Sequence, residues 1–239
     1  MEWHVRLSTA KSLPLLDKEI VGCRKCPRLV EWREEVAVVK RKSYENEKYW
    51  GKPVPGFGPA DARIVIVGLA PGAHGANRTG RIFTGDSSGD WLYKALYKNG
   101  LATIPTSTSA DDGQKLIDTR ITCAVRCAPP VNKPSTREKI ECSDYLVNEI
   151  ELLLPTARTF VALGSFAWSA IIKSLRALDH QIPTPTPKFG HEKSFTFMGE
   201  DGINRLVLGS YHPSQQNTFT GKLTEPMLNS IFKKAKSFK

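Results

Sequence analysis

Residues 63–69, RIVIVGL, constrain this chain more than any other stretch. A short, β-branched, uninterrupted apolar run reads as a strand buried on both faces. Four further segments have strand character: 120–125, 159–163, 194–198 and 205–208. Helical patterns lie between and after them, at 91–99, 136–154 and 166–178, and from about 224 to the basic end. Thr136 is a candidate N-cap for the second of these. Strands alternating with helices predict a three-layer α/β/α fold, with a central, mostly parallel four-stranded sheet in a single domain. Residues 1–62 are charged and irregular and are expected to pack onto that domain. Ligands of such folds sit beyond the carboxyl ends of the strands. The loops after Leu69, Val125 and Ser210 should therefore line the site.

Composition narrows the function classes. The 239 residues include 34 basic and 24 acidic side chains, a formal net charge of +10. That surplus favours a polyanionic partner such as nucleic acid. The longest apolar runs fall far short of the roughly 20 residues a membrane span needs. The opening MEWHVRLSTAK has no apolar stretch of the kind a secretory signal carries. An intracellular, cytoplasmic location is the expectation, and with it five cysteines that form no disulfide framework.

Cysteine spacing then matters more than count. Cys23 and Cys26 form a C-x2-C pair, and Cys127 and Cys142 are separated by 14 residues. The four make a candidate tetrathiolate set, which holds either zinc or an iron–sulfur cluster. Spacing alone does not separate the two. Cys123, the fifth, sits in a strand and reads as a buried or site-lining thiol.

Two segments carry candidate chemistry. The first strand runs into GLAPGAHGANRTGRIFTGD, residues 68–86, whose glycines let backbone N–H groups approach an anion. It is not a phosphate-binding G-x4-G-K-[ST] loop, and it lacks the dinucleotide G-x-G-x-x-G pattern. Near the other end, YHPSQQN (211–217) places His212 after a strand, where it could donate to a developing negative charge.

Together these features resemble the uracil-DNA glycosylase superfamily, and within it the iron–sulfur branches. The loop 68–86 is similar to motif 1 of the broad-specificity family 5, and HPSQQN to motif 2. The cysteine pattern is similar to the ligand set of a [4Fe–4S] cluster. The resemblance implies hydrolysis of the N-glycosidic bond of uracil, and of other deaminated bases, in DNA, by a monomer that associates with the nucleoid through its substrate. It implies a structural cluster on Cys23, Cys26, Cys127 and Cys142. It implies that Phe83 stacks on an extruded base and that N–H groups around Ala70 and Gly72 fix the base edge. His212 would stabilise the leaving anion. Ala70 stands where other branches carry an acidic or amide residue that positions water, so another group is needed; Asp86 is the first candidate and Asn77 the second. Cys123 replaces a base-reading Asn of family 4, which predicts weaker discrimination among deaminated bases, because a thiol is a poor hydrogen-bond partner.

Contacts to DNA should be electrostatic. Residues 120–139 carry five basic and one acidic side chain. Arg78, Arg81, Arg126, Lys133 and Lys222 are candidate phosphate ligands, with Ser214 beside them in motif 2. Leu223 or Phe219 could wedge into the gap left by the base. The alternatives from other classes are a non-catalytic zinc-containing nucleic-acid-binding protein and an enzyme acting on free nucleosides.

Overall fold

A computed structural model describes residues 10–239; the first nine residues of MEWHVRLSTAK, read above for a missing apolar stretch, lie outside them. The chain order is α1 (Leu13–Val21), α2 (Pro27–Val39), β1 (Ile64–Gly68), α3 (Ala76–Thr79), α4 (Ser87–Lys98), β2 (Thr119–Cys123), α5 (Thr136–Leu153), β3 (Thr159–Leu163), α6 (Ser165–Ala177), β4 (Ser194–Met198), β5 (Asn204–Ser210), α7 (Gln215–Phe219) and α8 (Glu225–Ser237). The strands form one sheet in the order β2-β1-β3-β5-β4. Four strands run parallel, and β4 pairs antiparallel with β5 along the edge. The sheet thus has five strands where four were expected. The fifth alternates buried and exposed residues, with Phe195 and Phe197 inward, as an edge strand covered on one face does.

The three layers follow from the period of two along each strand. Val65 and Val67 of β1, Phe160 and Ala162 of β3, and Val207 of β5 face one core together with α1, α5 and α6. Ile64, Ile66, Val161, Leu163, Leu206 and Leu208 face the other, under α4 and α8. The central strands are buried on both faces, as their unbroken apolar runs require. Helix starts are fixed locally. Ser135, not Thr136, caps α5, accepting from the Glu138 N–H at 3.2 Å while Glu138 accepts from the Ser135 N–H at 2.7 Å. Among the described residues no helix is long and apolar enough to cross a membrane.

The segment before β1 is fastened by charge. Helix α1 packs on α5. Beneath it the Glu149 carboxylate of α5, fully buried, takes Arg120 of β2 at 2.6 Å and also pairs with Arg126. Arg120 reaches on to Asp17 of α1 at 3.0 Å. Burial alone would raise the Glu149 pKa; the guanidiniums of Arg126 and Arg120 overcome it and hold the carboxyl at about 2. Removing the centre of such a network strands buried cations. Glu149→Leu is expected to cost about 3–5 kcal/mol in urea unfolding, and adding Arg126→Met should recover part of the loss.

Candidate active site and cysteine cluster

Motif 1 leaves β1 and Gly164 leaves β3, so both stand at the crevice where chain order reverses across the sheet. His212 follows β5 into the same place. Its Cβ lies 3.7 Å from where Gly164 would carry one. The Phe83 ring sits 5.7 Å from the His212 ring, tilted by 33°. Phe83 has φ +51°, a left-handed conformation unusual for a bulky residue. Such backbone strain clusters at functional sites. Cys123 closes the floor: a Cβ on Gly68 would lie 3.1 Å from its sulfur and 2.9 Å from the Phe83 ring, so only glycine lets these groups meet. Burial pushes the Cys123 thiol up, so it is neutral. His212 is driven the other way: burial lowers its pKa to about 4, and the ring is neutral at physiological pH.

Asp86 caps α4, its Oδ1 accepting from the Gly89 N–H at 2.9 Å. Its Oδ2 lies against motif 1, 2.1 Å from where a Cβ on Gly75 would stand and 3.1 Å from one on Gly72. A side chain at Gly75 would displace the carboxylate, and one at Gly72 would crowd it. Burial raises the Asp86 pKa while hydrogen bonds from the Gly89 and Ser88 backbone oppose the rise. Ala70 and Gly72 are half-buried on the loop.

Several expected site residues are elsewhere. Asn77 is fully buried; its Nδ2 donates to the Arg33 carbonyl at 3.2 Å, and its backbone carbonyl accepts from the Gly51 N–H. It stitches motif 1 to α2 and is corrected from a water-positioning to a structural residue. Three arginines assigned to phosphates are also buried. Arg78 pairs with Glu47, donates to the carbonyls of His74 and Gly85, and covers the Tyr44 ring. Arg81 binds Asp112 at 2.6 Å and Ser107 at 2.8 Å. Arg126 belongs to the Glu149 network. A guanidinium already matched by carboxylate has neither the exposure nor the free charge for DNA. Leu223 is 0% exposed and part of the core, so it is no wedge; Phe219, at the end of α7, is 80% exposed. Lys133 and Lys222 are exposed, and Ser214 is half-buried at the start of α7.

The four paired cysteines converge. Cys23, Cys26, Cys127 and Cys142 line one small cavity between the N-terminal helices and α5. Among the described residues no group of three or more His, Cys, Asp or Glu is gathered tightly enough for a metal ion. Donors are aimed at the sulfurs all the same. Arg33, 2% exposed, gives Nη1 to Cys127 Sγ at 2.9 Å, and the Arg126 N–H points at Cys142 Sγ at 3.3 Å. The one carboxylate near Arg33, Glu34, is 3.8 Å away and 44% exposed. A buried cation with no buried carboxylate partner calls for anionic sulfur, so the residues fit a thiolate-held group. Burial raises the thiols of Cys26, Cys127 and Cys142, with Cys26 up to about 11 and Cys142 up to about 12. Sequence reading missed Arg33, although Cys26, Leu29, Val30 and Arg33 follow helical spacing and its signal was there.

Comparison with known proteins gives the family. The family model of the uracil DNA glycosylase superfamily matches residues 55–236. A type-5 uracil-DNA glycosylase of Mycobacterium tuberculosis is 51% identical over 227 residues, covering 95% of this chain and 82% of the relative. One from Thermus thermophilus is 46% identical over 218 residues, covering 91% and 94%. A type-4 uracil-DNA glycosylase of Pyrobaculum aerophilum is 30% identical over 224 residues, covering 93% and 90%. With a matching family model over most of its length, and relatives this similar across nearly all of it, the chain belongs to the uracil DNA glycosylase superfamily.

Proposed function

We propose that the protein is a DNA repair glycosylase that hydrolyses the N-glycosidic bond of uracil in DNA and leaves an abasic site. The observation that carries this reading is the meeting of Phe83 and His212 over Cys123 at the strand ends. A flat base fits against an aromatic ring, and a donor stands beside it for the charge that develops. The nucleotide must leave the helix to reach this crevice, at a cost of a few kcal/mol. Phe219 takes over the wedge role from Leu223, because it is the exposed apolar side chain of α7. Lys133, Lys222 and Ser214 contact phosphates.

As the bond breaks, the sugar gains positive character and the base leaves as an anion. His212 donates to that anion as neutral imidazole, since its lowered pKa keeps it uncharged. N–H groups around Ala70 and Gly72 hold the base edge. Asp86 orients the water through Oδ2, its Oδ1 being used by the helix cap. Cys123 offers no amide to read the base, so hypoxanthine and xanthine should be excised as well as uracil. Cys23, Cys26, Cys127 and Cys142 would hold a structural [4Fe–4S] cluster, and as its ligands would tie α1 and α2 to the 127–142 segment.

Incubation with uracil-containing duplex followed by alkali should break the strand; an intact strand would overturn the proposal. His212→Ala should slow excision by two to three orders of magnitude, about the effect of losing an oxyanion donor. Duplexes with hypoxanthine and xanthine should also be cleaved, and strict selectivity for uracil would remove the role given to Cys123. Protein purified without oxygen should carry iron and absorb near 400 nm; a colourless protein loaded with zinc would overturn the cluster.

The lowered His212 pKa has a consequence for stability. The unfolded chain takes up this proton near pH 6.5, whereas the folded state resists to about 4. The contribution is therefore complete above 6.5 and is lost as pH falls toward 4. Thermal unfolding should show Tm dropping between pH 7 and 5, and His212→Gln should make the drop shallower.

A further inference from the structure

The backbone that presents His212 is held at three points. The Tyr211 N–H donates to His191 Nδ1 at 3.2 Å. Ser210 Oγ donates to the Tyr211 carbonyl at 2.9 Å. Asn217 Nδ2 donates to the His212 carbonyl at 2.9 Å. Only the first of these partners titrates near neutral pH.

His191 lies in the turn that leads into β4, and that turn is locked to β5. The Glu192 N–H donates to the Gly209 carbonyl at 2.8 Å, and the Gly209 N–H to the Lys193 carbonyl at 2.8 Å. The approach is so close that a Cβ on Gly209 would stand 2.5 Å from the Gly190 carbonyl oxygen. The imidazole lies along the Tyr211 ring, with centroids 5.1 Å apart and planes at 30°. Accepting at Nδ1 requires a lone pair there, so the neutral ring carries its proton on Nε2. Nε2 is buried and has no partner among the described residues.

We propose that His191 is a positioning residue for the glycosylase reaction: its neutral Nδ1 fixes the Tyr211 amide and so the place of His212, and protonation releases that strand end. The inference rests on the role given to His212 above. Protonated Nδ1 would point an N–H at the Tyr211 N–H, and the hydrogen bond would become a repulsion. Burial disfavours the charged ring, and the exposed Glu192 beside it favours it. Two cations stand at this corner as well: Lys222, whose Nζ lies 4.9 Å from the centre of the Tyr211 ring, and Lys193, whose side chain packs against Gly190 in the same turn. His212 itself follows Tyr211 and keeps its own, lower titration near 4.

The test is single-turnover excision of uracil from duplex DNA between pH 5 and 8, with DNA affinity and Tm measured for each variant. In His191→Asn the amide oxygen stands near the place of Nδ1 and does not titrate. That variant should keep the wild-type rate at pH 8 within a small factor, and its acid limb should move to lower pH. His191→Phe loses the acceptor and should be slower by about tenfold at pH 8, roughly the worth of one hydrogen bond, with DNA affinity unchanged. An acid limb that stays in place in His191→Asn would overturn the proposal. So would equal rates in His191→Phe and wild type. His191→Ala and His212→Ala run alongside: if His212→Ala is as fast as wild type, the reading of His212 has failed, and if His212→Ala is slow while both His191→Ala and His191→Phe are not, only the present inference has.

Discussion

The buried Glu149 carboxylate, held between Arg120 and Arg126, is the interaction on which the arrangement of the molecule depends. One side chain of α5 fixes β2, the chain just after it and, through Asp17, the first helix. Removing three charges from water is costly, and only close pairing of all three compensates for it. The network therefore specifies one position of α5 against the sheet. Cys142 lies two helical turns before Glu149, and Cys127 directly follows Arg126. The positions of these two sulfurs are set by the same carboxylate.

A second constraint acts at the end of β1. Motif 1 carries many glycines, and at Gly68 and Gly75 the reason is contact. One lets Phe83 and Cys123 close on the strand end, and the other admits the Asp86 carboxylate. Asp86 is at once helix cap and part of the crevice wall, with one oxygen committed to each. The strained Phe83 backbone is held in place by this packing, and its ring comes to rest beside His212.

The fold was largely legible because its signals are local. The β-branched runs and the turn residues each act within a few residues of themselves; the cap of α5 was placed one residue late, on Thr136 where Ser135 caps. The segment 194–198 was legible as a strand, but its membership of the central sheet, as an antiparallel edge beside β5, was not, because that depends on how β5 is placed against β3. The motif 1 loop, Phe83, Asp86, Cys123 and His212 gather beyond the carboxyl ends of the strands, where the loops were expected to meet. The cationic residues were not legible. Arg78, Arg81 and Arg126 look like phosphate ligands by type, yet each meets its carboxylate in the interior, with Glu47, Asp112 and Glu149 respectively. Leu223 was likewise an apolar residue whose burial no local pattern announces.

By itself, the sequence determined the alternation of strands and helices, the layered architecture and the set of residues available for chemistry. Periodicity and spacing are properties of neighbouring positions, so they can be read without a fold. Only the tertiary structure decided which charges are paired in the core and which remain exposed. It decided that Asn77 is buried against α2, that Arg33 faces the cysteines, and that His191 reaches the amide beside His212. Each of these turns on a pairing across long sequence separation. A buried polar group is stable only where its partner arrives, and the partner's arrival is a property of the folded chain.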